Sequence, residues 1–280
     1  MKRIACLFLA LLLIMPAASM AEPDEEELDF EEFDPDAGIP VSEASWDFPV
    51  ALEDMNPEYI ILANKHYLLD RKYAPKDLVK VPSKPKEGGI YWAVKPKDGQ
   101  KLRKVCSDAL CEMNRAIMDD APEYGYRALY LKSAYRSYST QKTMYNNRLK
   151  KNHGKDDGWV SRPGASDHQT GLGCDVVPSN WKDRAMNEKM MKEPECMWMA
   201  EHCYEFGFII RYPQDKQEIT EINTEPWHLR YVGIPVATYI WENNLCLEEF
   251  TEQLQQAIQD YLDAGGDRAK VEAFIQTPTD

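Results

Sequence analysis

The sequence predicts an α+β fold: a single domain with a small antiparallel sheet packed by helices, plus a helical C-terminal extension. Three observations carry this reading. Apolar residues recur at helical spacing in three separate segments, short strand-like runs are interleaved between those segments, and no internal repeat is present.

Taken in order, Tyr59-Ile60-Ile61-Leu62-Ala63 reads as a short strand, followed by a polar, proline-punctuated stretch through Lys97. Leu102, Val105, Ala109, Leu110, Met113 and Ile117 fall on one helical face. Residues 128–133 alternate and read as a strand, and Ser139 is an expected N-cap for a helix through Lys151. Residues 152–165 are polar and contain glycine, as a loop would. A helix is expected over 194–206, with Trp198, Met199, Cys203 and Phe206 as core positions and Gly207 as its C-cap. Phe208-Ile209-Ile210 and Leu229-Arg230-Tyr231-Val232 are strand-like. Leu247, Phe250, Leu254, Ile258, Tyr261 and Leu262 form the stripe of a last long helix, stopped at Gly265-Gly266, after which a short final helix is expected.

The termini read differently from the body. Lys2 and Arg3, the apolar run Ile4–Met15, and small residues at Ser19 and Ala21 have the layout of a secretory signal over 1–21. At twelve residues, that apolar run is short for a membrane span, which needs about 20; an uncleaved anchor is the alternative. Residues 22–36 hold ten carboxylates and no base, so 22–45 reads as an acidic, disordered linker. The domain is expected over 46–246, and the helical extension over 247–280.

The chain of 280 residues carries 33 Lys+Arg and 47 Asp+Glu, a formal charge of −14. Losing Lys2 and Arg3 with the signal takes this to −16, and setting aside the ten linker acids leaves −6 for the rest. At 44% apolar and 29% charged, the composition excludes collagen-like, fully disordered and disulfide-knot classes. The acidic balance argues against a nucleic-acid binder and against a polybasic membrane-surface binder. Six cysteines remain after residue 21, and local bridges are not expected: Cys196 and Cys203 on one helix would lie about 10 Å apart.

Two segments carry chemistry: Ser166-Asp167-His168-Gln169-Thr170-Gly171-Leu172-Gly173-Cys174-Asp175 and Glu225-Pro226-Trp227-His228. A catalytic zinc takes three nitrogen or carboxylate ligands and keeps one position open. His168, Asp175 and His228 would supply that set, with the two glycines letting the backbone turn. Glu225 would be the general base. Positions three apart on a regular strand face opposite sides, so Glu225 and His228 can meet only if the strand bends. His66, His153 and His202 read as surface or structural histidines.

These segments resemble the signatures Ser-x-His-x2-Gly-x-Ala-x-Asp and Glu-x-Trp-His of the VanY-like zinc D-alanyl-D-alanine (D,D-/L,D-) carboxypeptidases of bacterial peptidoglycan metabolism. SAYRSYSTQ (133–141), GFIIRYP (207–213) and EPWHLRYVG (225–233) extend the resemblance over roughly 60–250. Gly173 stands where the family usually has Ala, and Glu221 where Gly is common. The resemblance implies a Hedgehog/DD-peptidase-like fold and Zn2+ on His168, Asp175 and His228, with Glu225 acting first as base and then as acid. It also implies that Arg136, Gln141, Ser166 and Tyr212 hold the terminal D-alanine, Arg136 also serving the oxyanion. The expected substrate is the C-terminal D-Ala of a peptidoglycan stem peptide. A monomer is expected, with no nucleic-acid partner and no stable membrane span once the signal is removed. An endopeptidase or D,D-dipeptidase on the same scaffold, or a non-catalytic metal-stabilised wall-binding module, are the alternatives.

Overall fold

A computed structural model describes residues 44–279. The expected signal segment, and all but the last two residues of the expected linker, lie outside the described residues. Seven strands and seven α-helices follow in chain order, joined by short 3-10 turns. They run β1 (Leu78–Lys80), β2 (Tyr91–Trp92), β3 (Lys101–Arg103), α1 (Lys104–Tyr124), β4 (Leu129–Ser133), α2 (Tyr138–Lys151) and β5 (Gly173–Pro178). The second half continues as α3 (Pro194–His202), β6 (Phe208–Tyr212), α4 (Gln217–Thr220), β7 (Glu225–Tyr231), α5 (Ile234–Glu242), α6 (Leu247–Asp263) and α7 (Arg268–Val271). No helix among the described residues is long and apolar enough to cross a membrane.

The main sheet has the order β2-β4-β5-β7-β6, antiparallel except for the parallel pair β2–β4; β1 and β3 form a separate antiparallel pair. Side chains of successive strand residues point to opposite faces, and here the two faces differ in character. Cys174, Val176, Leu229 and Phe208 face a core shared with α1 and α3, including Leu110, Met113, Ile117 and Met199. The neighbouring residues Asp175, His228, Arg230 and Arg211 take the other face. Near Ile209 that face meets a second core, built from Val236, Ile240, Phe250, Leu254 and Ile258 of α5 and α6. The amphipathic stripe of α6 is buried there, and Trp46 and Phe48 from the start of the described chain pack edge-on against Tyr261 and Phe250.

Several sequence expectations are corrected. Residues 59–63 form no strand: Tyr59 closes a turn, Ile60 is at a bend, and 61–63 have no regular structure. Arg230 Nη2 donates to the Tyr59 and Ile61 carbonyls, and Leu62 N donates to Gln276 Oε1, so side chains replace the ladder. The second helix is capped by Ser137, whose oxygen accepts from Thr140 N, and not by Ser139. Leu102 belongs to β3 and the first helix begins at Lys104. Strand β5 and helix α5 had no periodic signature: β5 is buried at every position and so does not alternate in sequence. All six cysteines in the described residues are buried free thiols.

Candidate metal centre and active site

His168 sits in a single 3-10 turn, Asp167–Thr170, which ends at Gly171 with φ 68°. That left-handed conformation is open to glycine at low cost and turns the chain into β5. At Gly173 an added Cβ would lie 2.8 Å from the Asp167 Cβ. The glycine in place of the usual Ala therefore makes room for Asp167, which is completely buried. His168 Nδ1–H donates to the Ala134 carbonyl at 2.7 Å, leaving Nε2 as the free nitrogen.

Asp175 on β5 and His228 on β7 are register partners. Asp175 Oδ1 lies 3.4 Å from His168 Nε2 and 3.2 Å from His228 Nδ1. Two ligands on a tetrahedral zinc, each about 2.1 Å from the ion, stand about 3.4 Å apart. The donor atoms of His168, Asp175 and His228 all fall within 4.8 Å of one another, and Asp175 Oδ1 is buried with no hydrogen-bond partner among the described residues. A buried carboxylate oxygen in that state is a cost unless a cation takes it, so these residues fit the ion. Burial and the nearby Arg136 guanidinium push His168 down to about 4, keeping it neutral and ready to ligate. Burial opposes charge on His228 as well, but Asp175 and Glu225 outweigh it and raise it to about 9.

The bend required between Glu225 and His228 is a bulge. Opposite β6 residues 210 and 212, β7 sets residues 229 and 225, two extra residues that break the alternation. Glu225 Oε2 consequently reaches 3.4 Å from His228 Nδ1, on the side of the nitrogen that faces Asp175. Burial raises the Glu225 pKa above the ordinary glutamate value, against the pull of His228.

Beneath the ligands lies a charged cluster that the sequence reading missed. Arg211 Nε donates to Asp167 Oδ2 at 2.7 Å, and Arg230 Nη1 donates to Asp167 Oδ1. Glu248 on α6 takes both ends of the Arg211 fork, at 2.6 and 2.7 Å. Asp167 Oδ2 is 4.0 Å from His228 Nε2, the nitrogen pointing away from the ligands. Burial alone would raise the Asp167 pKa; Arg230 and Arg211 overcome it and hold the carboxyl below its usual range. The available signal was an arginine inside each of two apolar strand runs, because a charge at such a position is rarely buried without a partner.

One cavity of about 330 Å³ is lined by all eight residues singled out from the sequence: Arg136, Gln141, Ser166, His168, Asp175, Tyr212, Glu225 and His228. Among the described residues the Arg136 guanidinium has no carboxylate partner; Nη1 is 3.5 Å from Ser133 Oγ and Nε is buried with no acceptor. Gln141 Nε2 donates to the Ser161 carbonyl, while its buried Oε1 has no partner. The Tyr212 ring stands 5.0 Å from the His228 ring. Trp227 stacks on Trp159 at the cavity wall, 6.4 Å between centroids. Outside this site, His66 pairs with Glu221 at 3.2 Å and His202 with Glu205 at 2.9 Å, both exposed. Glu221 has φ 54°, the left-handed region that glycine adopts most easily, which accounts for glycine being common in the family there.

This fold and this site define a metallopeptidase: an aspartate and a histidine on neighbouring strands of a mixed sheet, a second histidine on the turn that leads into it, a glutamate beside them, and an arginine in the same cavity with no carboxylate partner among the described residues. Residues 99–234 match the VanY D-alanyl-D-alanine carboxypeptidase family. YodJ of Bacillus subtilis (strain 168), which carries the name of a carboxypeptidase, is 38% identical over 204 residues, covering 72% of this chain and 70% of its own length. The chain belongs to the VanY family. Among solved structures, the LdcB LD-carboxypeptidase is 38% identical with a TM-score of 0.59, over 70% of this chain and 87% of that one. A VanY D,D-pentapeptidase variant from a VanB-type resistance cassette, solved in complex with Zn(II), is 29% identical with a TM-score of 0.51, over 69% of this chain and 98% of that one.

Proposed function

We propose that this chain is an exported, monomeric zinc carboxypeptidase that removes the C-terminal D-alanine from peptidoglycan stem peptides. On this reading 1–21 is the export signal, 22–45 a tether, 46–246 the catalytic domain and 247–280 its helical extension. His168 Nε2, Asp175 Oδ1 and His228 Nδ1 hold the ion. The observation that carries the proposal is the unpaired Arg136 guanidinium in the same cavity as those three donors and Glu225. A free cation beside a metal centre suits a substrate that brings its own carboxylate, as a peptide C-terminus does.

When bound, zinc brings the pKa of water toward about 7 and polarises a carbonyl oxygen. Glu225 Oε2 accepts a proton from the attacking water, whose oxygen bonds to the scissile carbonyl carbon. Glu225 then passes that proton to the amine as the carbon–nitrogen bond breaks, releasing D-alanine and a shortened peptide. Arg136 pairs with negative charge on the substrate, both the terminal carboxylate and the oxyanion that develops. Gln141 Oε1, Ser166 and the Tyr212 hydroxyl line the cavity as hydrogen-bonding groups that orient the terminal residue.

The deciding experiment incubates the protein with stem pentapeptide, stem tetrapeptide and free D-Ala-D-Ala, with and without a chelator, and identifies the products by mass spectrometry. Loss of one alanine from a stem peptide, abolished by chelation, is expected. Cleavage of the free dipeptide alone, or of the cross-link in a muropeptide dimer added as a fourth substrate, would replace the proposal by the dipeptidase or endopeptidase reading. Zinc binding without any turnover would make the chain a wall-binding module.

A further inference from the structure

A second concave surface lies on the β2 edge of the main sheet. It is a groove of about 640 Å³ lined by Ser83, Lys84, Tyr91, Trp92, Lys95, Tyr130, Lys182 and Asp183, among others. Its chemistry is opposite to that of the chain as a whole. Residues 80–101 carry six lysines and two acids, in a protein of net charge −14. Lys84, Lys95 and Lys182 are exposed on the rim; Lys84 lies 2.8 Å from Glu87 and Lys182 3.9 Å from Asp183, and Lys95 has no acidic partner among the described residues. Tyr91 and Tyr130, register partners on β2 and β4, stack at 5.1 Å, with Tyr91 39% exposed and Lys182 Nζ 5.7 Å from the Tyr130 ring.

The groove and the catalytic cavity share one stretch of chain. Lys182 and Asp183 line the groove, and Met186 and Asn187 line the cavity. Five residues span at most about 18 Å, so one extended ligand can reach both. The stretch is anchored where it starts: Lys132 Nζ donates to the Trp181 carbonyl at 3.1 Å and to the Arg184 carbonyl, and Trp181 Nε1 donates to Glu193 at 2.7 Å. Lys132 is available for this because a bulge in β4 between Leu131 and Ser133 takes it out of register.

Resting on the carboxypeptidase reading, we infer that this groove is a second binding site for the same polymer, holding an anionic, sugar-bearing portion of peptidoglycan while a stem peptide occupies the cavity. Lysines supply point charges for carboxylates, and exposed tyrosine faces supply flat apolar surface for sugar rings. A concave groove suits a polymer chain better than a flat membrane. Engaging two sites on one polymer raises binding well beyond either site alone, by about 10²–10⁴ at best.

The test is the full chain carrying Lys84→Glu, Lys95→Glu and Lys182→Glu together, all exposed positions outside the catalytic cavity. Two readouts are taken: turnover of a short soluble stem peptide against turnover of insoluble sacculi, and co-sedimentation of chelator-treated protein with the same sacculi. The groove predicts unchanged turnover of the short peptide and a tenfold or greater loss on sacculi. It also predicts loss of co-sedimentation in the variant, and for the wild type a decline in retention as salt is raised. Equal behaviour of variant and wild type on sacculi overturns the groove. Retention by anionic lipid vesicles but not by sacculi overturns it too, in favour of a membrane. If neither protein cleaves the short peptide, the carboxypeptidase reading fails, and co-sedimentation still decides the groove.

Discussion

Asp175 and His228 are direct cross-strand partners, and Asp175 Oδ1 lies 3.2 Å from His228 Nδ1. Two of the proposed ligands are therefore fixed by the hydrogen-bond register of β5 and β7, elements with buried side chains on both faces. A site built on paired strands is rigid before any ion arrives, so ligands and base separate cleanly by mutation. His228→Ala is expected to lose zinc, measured by metal analysis of the purified protein. Glu225→Gln is expected to keep its zinc and to lose about 10²–10⁴-fold in turnover. A Glu225→Gln enzyme working near the wild-type rate would remove Glu225 from the base role.

Arg136 offers its planar fork to a carboxylate, and its test is selective for that carboxylate. The wild type is expected to discriminate strongly against a stem peptide whose C-terminus is amidated. Arg136→Ala should lose most of that discrimination, with kcat/KM on the free acid falling about tenfold to a hundredfold, the weight of a charged hydrogen bond. Arg136→Lys keeps the charge but not the bidentate geometry and should fall between. Undiminished preference for the free acid in Arg136→Ala would place carboxylate recognition elsewhere.

Asp167 stands 4.0 Å from His228 Nε2, and Arg211 joins it to Glu248 on α6. Asp167→Asn leaves two buried guanidinium groups short of a counter-charge and is expected to destabilise the fold by about 3–5 kcal/mol, read from urea midpoints. It should also loosen zinc by about 10–100-fold in a chelator competition, the effect of losing a negative charge behind the proposed ligand His228. Glu248→Gln keeps hydrogen bonds to Arg211 and should give a smaller loss in both. Unchanged zinc affinity in Asp167→Asn would make the cluster purely structural.

Glu193 provides a pH dependence away from the metal. Its carboxylate accepts from Trp181 Nε1, Asn180 Nδ2 and Arg127 Nη2. The Trp181 hydrogen bond is the leading cause that holds its pKa below the 4.5 of an ordinary glutamate. A carboxyl depressed in the folded state stabilises the fold fully above its unfolded pKa and loses that contribution as pH falls through the folded value. Melting temperatures between pH 7 and pH 3 should therefore show Glu193→Gln less stable than wild type near neutrality, the gap narrowing below about 4.5. A gap independent of pH would refute the ionic contribution.

Much of this was readable in the linear chain, residue by residue. The helical faces of α1 and α6 announced themselves because each buries one stripe, leaving a 3.6-residue period. The cluster of His168, Asp175 and His228 was legible because all three sit in segments whose neighbouring letters match a known signature. Strand β5 was not legible, since a strand buried on both faces does not alternate. Residues 59–63 misled for a related reason: their apolar character reflects burial, while their backbone groups are satisfied by Arg230 and Gln276.

By itself, then, the sequence determined which side chains are chemically competent and which stretches are apolar on one face, because both are properties of local composition and spacing. Only the tertiary structure decided that β7 bulges to bring Glu225 beside His228, that Glu248 on the last long helix holds Arg211 under the metal site, and that lysines around 80–101 meet Lys182 in one groove. Those outcomes depend on strand register and on contacts between residues tens to nearly a hundred positions apart, and no short window of sequence encodes them.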